Sequence, residues 1–233
     1  RITAPNGIQT YMKTSLQTTT TLSDGYYILK ETADGNTDFD MCTDGDHAMS
    51  ENIIAAVQGE AMKGKPLAMG AAFNHSYTDK DGQFQSCHLI SATTESGDFK
   101  AFSTNDFSEI FNRTNILYAG SLADDEIPYG FSSGMFSIFF TTSNGIRSQY
   151  SASIFDAGSG LYGDSPINGG SRFYVGGTAC TVVWDEKHHS FYYSDYNGST
   201  FQTDIAYPEF KCIDCGRNSS EQAFFILEDA SGA

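Results

Sequence analysis

A short apolar strand that runs into a polar turn and back recurs five times along this chain. Tyr27-Ile28-Leu29 leads to a turn at Asp34-Gly35, and Leu89-Ile90 leads to Glu95-Ser96-Gly97 and returns through Phe99 to Phe102. Ser137 to Phe140 leads to Asn144-Gly145 and returns toward Tyr150; Val182-Val183-Trp184 leads to Asp185 to His189 and returns through Phe191-Tyr192-Tyr193. The last, Phe225-Ile226-Leu227, leads to Asp229 to Gly232. The intervals are about 62, 48, 44 and 43 residues, in the range of one four-stranded propeller blade. A sandwich places turns every ~8–12 residues without such a longer period. The expectation is an all-β chain, a β-propeller or part of one, with about five four-stranded blade-like units forming one domain over residues 1–233. A β-sandwich or jelly roll is the alternative.

Local chemistry agrees with strands and tight turns. Asn-Gly pairs begin at 6, 144, 168 and 197, and Asp-Gly pairs at 24, 34, 44 and 81; both suit the positive φ of hairpin turns. Helical signal is thin. Ser50 predicts the cap of a short helix with Ile53, Ile54, Val57 and Ala61 on one side, weakened by Gly59. Asp106 with Glu109 three residues on predicts a further helical turn. The fifth unit stops after one strand and its turn, and one strand cannot bury a blade's inner face. Either the Thr18–Leu22 run closes the ring against it or the sequence is a fragment of a longer chain; the fragment is the expectation.

Charge narrows the partners. Thirteen Lys and Arg against 29 Asp and Glu give a net charge of −16, which repels phosphate backbones and anionic membranes alike, so nucleic acid is excluded. No apolar run reaches the length of a bilayer span, so no transmembrane segment is expected. A hydrophobic content of 39% is too high for a disordered chain.

The five cysteines, Cys42, Cys87, Cys180, Cys212 and Cys215, are an odd count at irregular spacing. Cys212-Ile213-Asp214-Cys215 is a lone CxxC without the further ligands of a zinc site, so structural or disulfide roles are expected. Asn-x-Ser/Thr sequons begin at Asn74, Asn112, Asn197 and Asn218. Gly158 to Gly163 matches GxGxxG, but Pro166 and the glycines after it forbid the helix that a dinucleotide site needs, leaving a glycine-rich loop.

Asp34, Asn36 and Asp38 place oxygen-bearing side chains at alternate positions, followed by Asp40. Calcium takes six to eight oxygens, so Asp34, Asn36 and Asp38 are a calcium candidate, although Phe39 and Gly45 stand where an EF-hand needs Gly and Glu. The bland reading is a solvated acidic turn. No nucleophile elbow occurs, so no catalytic residue is assigned. The histidines, at 47, 75, 88, 188 and 189, have no evident partner, and His188-His189 reads as a solvated hairpin tip. Trp184, Tyr192, Tyr193 and Tyr196 cluster as a stacking platform for sugar rings, but the apolar strand around Trp184 places that ring in the core.

Several stretches resemble the PKD-like family of surface lipoproteins encoded in gut-type Bacteroidetes beside starch-utilisation-type nutrient importers. They are Gly64 to Leu67, Ile90 to Phe99, Thr104 to Phe111, Val182 to Lys187 with Ser190-Phe191, and Asp214-Cys215-Gly216 leading to Phe225–Asp229. The likeness spans roughly residues 20–230 on short blade-type motifs. It implies a propeller-like region, lipid anchoring through an N-terminal Cys, and a non-catalytic role at the cell surface. The lipidated Cys and the preceding PKD-like domains are not in this sequence. The expected function is therefore a non-catalytic cell-surface binding or accessory module for glycan or peptide nutrients, beside outer-membrane importer components. A propeller glycosidase or lyase using central carboxylates, and a structural docking subunit of a surface assembly, are the alternatives.

Overall fold

The structure, a computed structural model, describes residues 2–3, 9–10, 22, 25–43, 47–79, 81–133, 138–149, 160–166, 171–176, 181–194, 200–218 and 222–232. After a short pair, β1 (Ile2–Thr3) with β2 (Gln9–Thr10), these residues form five antiparallel sheets in chain order. The first holds β3 (Gly25–Glu31), β4 (Thr37–Thr43) and β5 (Met49–Ser50), followed by α1 (Ile53–Gln58). The second holds β6 (Pro66–Thr78), β7 (Phe84–Thr94), β8 (Phe99–Ser103) and β9 (Glu109–Asn112). The third holds β10 (Pro128–Ser133), β11 (Ile138–Thr142) and β12 (Gly145–Ser148). The fourth holds β13 (Tyr174–Gly176), β14 (Thr181–Asp185), β15 (Ser190–Ser194) and β16 (Thr200–Ala206), and the fifth β17 (Lys211–Arg217) with β18 (Ala223–Glu228). Five units are thus present, but four strands are described only in the second and fourth.

The period of two along each strand explains the stack, because alternate side chains serve opposite neighbours. On β7, Ile90 and Ala92 join Phe39 and Met41 of β4 between the first and second sheets. Leu89 and Phe99 point the other way, to Phe131 and Phe140 of the third. Phe139 and Ile146 then meet Val183 and Tyr192 of the fourth. Trp184 stacks edge-on with Phe191 at 4.9 Å, and Phe191 with Phe225 of the fifth at 5.1 Å. Sheets buried on both faces and laid side by side in sequence are propeller packing. First strands line up within the stack, β6 beside β10, β10 beside β13 and β13 beside β17.

The hairpin turns repeat a device that the spacing alone does not reveal. Each opens on a residue whose side-chain oxygen accepts a backbone N–H from inside the turn, an Asx- or ST-type closure. Thr32 accepts from Asn36 at 3.1 Å, Thr94 from Asp98 at 3.1 Å and Thr142 from Asn144 at 3.2 Å. Asp185 accepts from Lys187 at 2.9 Å, and Asp229 from Ser231 at 2.8 Å.

Two helical expectations are corrected. Ser50 ends β5, and the helix starts at Ile53 after a left-handed Asn52 that makes no side-chain cap. Its orphan donors are met from across the core instead: Asp38 of β4, fully buried, accepts from Ile54 and Ala55. Val57 lies exposed, not on the buried side with Ile53 and Ile54. Around Asp106 no helix forms, because its carboxylate takes both the N–H and the hydroxyl of Ser108 and closes the turn from β8 to β9.

Candidate functional site

An open cleft of about 460 Å³ lies where the fourth and fifth sheets meet. His189 from the β14–β15 turn, Glu209 and Phe210 from the segment before β17, and Asp229 and Ser231 from the turn after β18 line it. Lys211 and Glu228, paired across β17 and β18, also line it and make an ion pair of 2.6 Å. Three carboxylates against one ammonium leave the cleft acidic, rich in acceptors for hydroxyl or amine donors, with Phe210 as an apolar surface.

The two histidines have partners that the sequence did not show, although His188 stays exposed as read. Asp185 is fully buried and takes the backbone N–H of Lys187 and of His188 on Oδ1. Its Oδ2 receives the His188 Nδ1 proton at 2.6 Å, with the His188 side chain 43% exposed. His189 donates from Nδ1 to the Phe210 carbonyl at 2.5 Å. Nδ1 being the donor in both rings, Nε2 is the nitrogen left to accept a proton or a ligand donor when the ring is neutral.

The residues singled out in sequence are dispersed. Asp34 is exposed in its turn, the Asn36 side-chain Oδ1 accepts from the Gly64 N–H at 3.3 Å, and Asp38 is buried against α1. The three therefore serve different neighbours, and Asp40 is paired with Lys30 at 2.6 Å. Among the described residues no group of three or more His, Cys, Asp or Glu is arranged to hold a metal ion. Trp184 is in the core at 1% exposure and Tyr192 is buried, whereas Tyr193 is exposed; Tyr196 lies outside the described residues. Cys42, Cys87, Cys212 and Cys215 are unbridged, and burial pushes the Cys212 thiol up to about 11. Cys180 and Asn197 lie outside the described residues.

Gly160 to Gly163 of the glycine motif are described, and Gly160 has a structural task. Gly160, at φ +72°, lies so close to β6 that a Cβ would stand 2.7 Å from the Ser76 oxygen and 2.8 Å from His75 Nε2. His75 is fully buried, ringed by Phe111 at 5.4 Å, Tyr162 at 6.1 Å, Tyr77 at 6.4 Å and Phe131 at 6.5 Å. Neither ring nitrogen has a hydrogen-bond partner. Burial pushes its pKa down to about 4, while the nearby Gly160 backbone pulls weakly the other way without closing a hydrogen bond.

The cleft residues Glu209, Phe210 and Lys211 carry no sequence motif, and Glu228 lies in the Phe225–Asp229 stretch. The equivalence of Asp229 with Asp185, as opening residues of successive turns, marks this end of the molecule in the sequence.

Stacked antiparallel sheets with a cleft at their turn ends define a propeller-type β protein. No family model matches the sequence, and no curated protein does. Among solved structures the chain is similar to the computationally designed Ika4 protein, at 9% identity over 74% of this chain and 92% of that one, with a TM-score of 0.42. It is also similar to a catalytically inactive virginiamycin B lyase from Staphylococcus aureus with quinupristin, at 15% identity over 92% and 70%, with a TM-score of 0.46. A third is the extracellular domain of a hybrid two-component system of B. thetaiotaomicron, at 9% identity over 93% and 31%, with a TM-score of 0.41.

Proposed function

We propose that this protein is a cell-surface binding module that seats a glycan or peptide in the cleft between the fourth and fifth sheets. The observation that carries the reading is the cleft itself: Glu209, Glu228 and Asp229 offer acceptors, Lys211 and Ser231 donors, and Phe210 an apolar surface. Vicinal hydroxyls of a sugar, or the amide and amine groups of a peptide, match acceptors of this kind, while the C–H face of a pyranose matches the ring. An acidic lining disfavours phosphorylated or sulfated ligands. The location at a cell surface, and the association with importer components, rest on the resemblance carried by the blade-type stretches. No helix among the described residues is long and apolar enough to cross a membrane.

The test is a glycan array and a peptide library probed with the intact protein, followed by titration calorimetry of any hit against Phe210→Ala and Glu228→Gln. Saturable binding that weakens at least about tenfold in either variant supports the reading, a change of ~1.4 kcal/mol. An empty array and an empty library would overturn it.

One arrangement favours a second reading, a lyase or hydrolase. A buried Asp185 bound to His188 Nδ1, with the ring half exposed, is how a general base is oriented. Turnover of a polysaccharide that is abolished by His188→Ala, with the fold retained, would select it over simple binding.

A further inference from the structure

A bulge in the fifth sheet sets two cysteines on one face. Along a regular strand residues three apart point to opposite sides, which would separate Cys212 from Cys215. In β17, however, Cys212 pairs with Leu227, Asp214 with Ile226 and Cys215 with Phe225, the register shifting between Cys212 and Asp214. Ile213 is thus the extra residue. Leu227 and Phe225 stand two apart on β18 and share a face, so the cysteines opposite them share it as well.

The surroundings agree. Phe225 packs on Phe191 of the fourth sheet, and the Cys215 thiol reaches the Tyr174 carbonyl of β13 at 3.6 Å. Both cysteines therefore face the fourth sheet, Cys212 buried and Cys215 half-buried, while Ile213 and Ile226 are exposed on the other side. The Cys212 thiol donates to the Asp214 carbonyl at 3.3 Å, whose carbon is bonded to the Cys215 nitrogen, so the side chain leans along the strand toward Cys215. Two places on a strand are about 6.6 Å apart, within the Cα separations of about 4.4–6.8 Å that a disulfide spans. Cys42 on β4 and Cys87 on β7 face no cysteine across their ladders.

We propose that Cys212 and Cys215 are a thiol–disulfide site, which a low-molecular-weight disulfide oxidises to an intrachain bridge across the β17 bulge. Cys215, the more exposed of the two, reacts first. Its thiolate attacks one sulfur of the external disulfide, forming a mixed disulfide and releasing one thiolate. The Cys212 thiolate then attacks the Cys215 sulfur and expels the second thiolate, which closes the bridge. The protein gives up two electrons and two protons, and the external disulfide leaves as two thiols. Burial pushes the Cys215 thiol up and the Cys212 thiol to about 11, with the charge of Cys215 adding to the rise at Cys212. Since only the thiolate attacks, bridging quickens as the solution is made more alkaline. The inference does not depend on the cleft between the fourth and fifth sheets.

The experiment incubates the whole chain in glutathione buffers of rising disulfide fraction, alkylates it under denaturing conditions, cuts it with trypsin and reads the masses. Cleavage after Lys211 and Arg217 leaves both cysteines in one peptide, residues 212–217. Expected is that peptide free of alkyl groups and two hydrogen masses lighter, while Cys42 and Cys87 form no bridge. Half-bridging of the folded protein should need at least about tenfold less oxidising buffer than that of the chain unfolded in guanidinium. Cys212→Ser should hold glutathione on Cys215 as a lasting mixed disulfide, since nothing is left to expel it. Two alkyl groups on the peptide at every fraction overturn the proposal, as does glutathione that stays on Cys215 in the parent. A cross-link from Cys215 to Cys180, which lies outside the described residues, gives it a different partner and overturns the pair. Equal bridging in the folded and unfolded chains would mean that the bulge contributes nothing, and overturns it too. The parent protein's peptide decides the matter even if the variant fails to fold.

Discussion

Gly70 of β6 and Gly130 of β10 meet backbone to backbone, so close that a Cβ on Gly70 would stand 2.8 Å from the Gly130 Cα and 2.5 Å from the Phe131 nitrogen. The Tyr174 hydroxyl of β13 closes the same point, 3.0 Å from either hypothetical Cβ. First strands of three successive sheets therefore converge on two glycines. Gly70→Ala has nowhere to place its methyl except against main chain, and the expected loss is about 1–3 kcal/mol by urea denaturation. Gly82→Ala is the control: it has the same change, a φ of +76° and open space, so only backbone strain of ~1 kcal/mol applies. Equal losses at the two sites would refute the close approach.

The second prediction concerns a buried ion pair. Glu126 and Arg147, 2% and 4% exposed, are joined by two contacts, Oε1 to Nη1 and Oε2 to Nη2 at 3.1 Å. Thr142 donates its hydroxyl to the same Oε1. Removing one charge strands the other in the core, so Glu126→Leu should cost about 3–5 kcal/mol. Glu126→Leu with Arg147→Met should recover most of it, since apolar groups of similar volume replace such pairs at little net cost. A double variant as unstable as the single one would contradict this account.

The sequence carried the hairpins because alternation and turn dipeptides are local, and every one of the five runs described falls on a strand. Asp34-Gly35, Asp81-Gly82 and Asn144-Gly145 mark turns as expected, but Gly25 opens β3, since Met41 and the Cys42 carbonyl leave no room for a side chain there. Long-range partners were not legible. Nothing around Asp38 announces that it caps a helix 16 residues away, and Arg113 reads as a surface charge although it donates to the carbonyls of Gly97 at 2.6 Å and Glu126 at 2.8 Å. The calcium pattern at Asp34, Asn36 and Asp38 has the period of a strand, but its third member points into the core. His188 looked partnerless because Asp185 lies in an apolar run whose end is also the turn's first residue.

A third prediction follows from His75. Its folded pKa, about 4, lies below the ordinary 6.5, so between those values the unfolded chain binds a proton that the folded one does not. Stability is then fully present above pH ~6.5 and falls as the pH drops toward 4, levelling below. The shift corresponds to about 3 kcal/mol at most. His75→Phe, an apolar ring among Phe111, Phe131 and Tyr162, should flatten the profile in this window when denaturation midpoints are compared with the parent. An unchanged slope would place the acid sensitivity elsewhere.

The last prediction grades the repeated turns by what each opening residue does. Asp185 is fully buried and accepts from two backbone N–H groups and from His188 Nδ1. Its loss in Asp185→Ala leaves three donors to find water, and hydrogen bonds to a charged group are each worth ~1.5–3 kcal/mol. Thr94 is buried and closes its turn through Asp98 and Ser96, whereas Thr32 is only half-buried and accepts from Asn36 alone. Neutral bonds of that kind are worth about 0.5–1.5 kcal/mol, so thermal midpoints should fall most for Asp185→Ala, less for Thr94→Ala and least for Thr32→Ala. Asp185→Asn separates closure from charge: its amide oxygen still accepts the turn N–H groups and restores most of the stability. The His188 ring, however, then faces an amide N–H group that only an unprotonated Nδ1 can accept, so the neutral ring should change tautomer, read from its 15N chemical shifts. A His188 tautomer unchanged from the parent's would mean that Asp185 serves the turn only and does not orient the histidine.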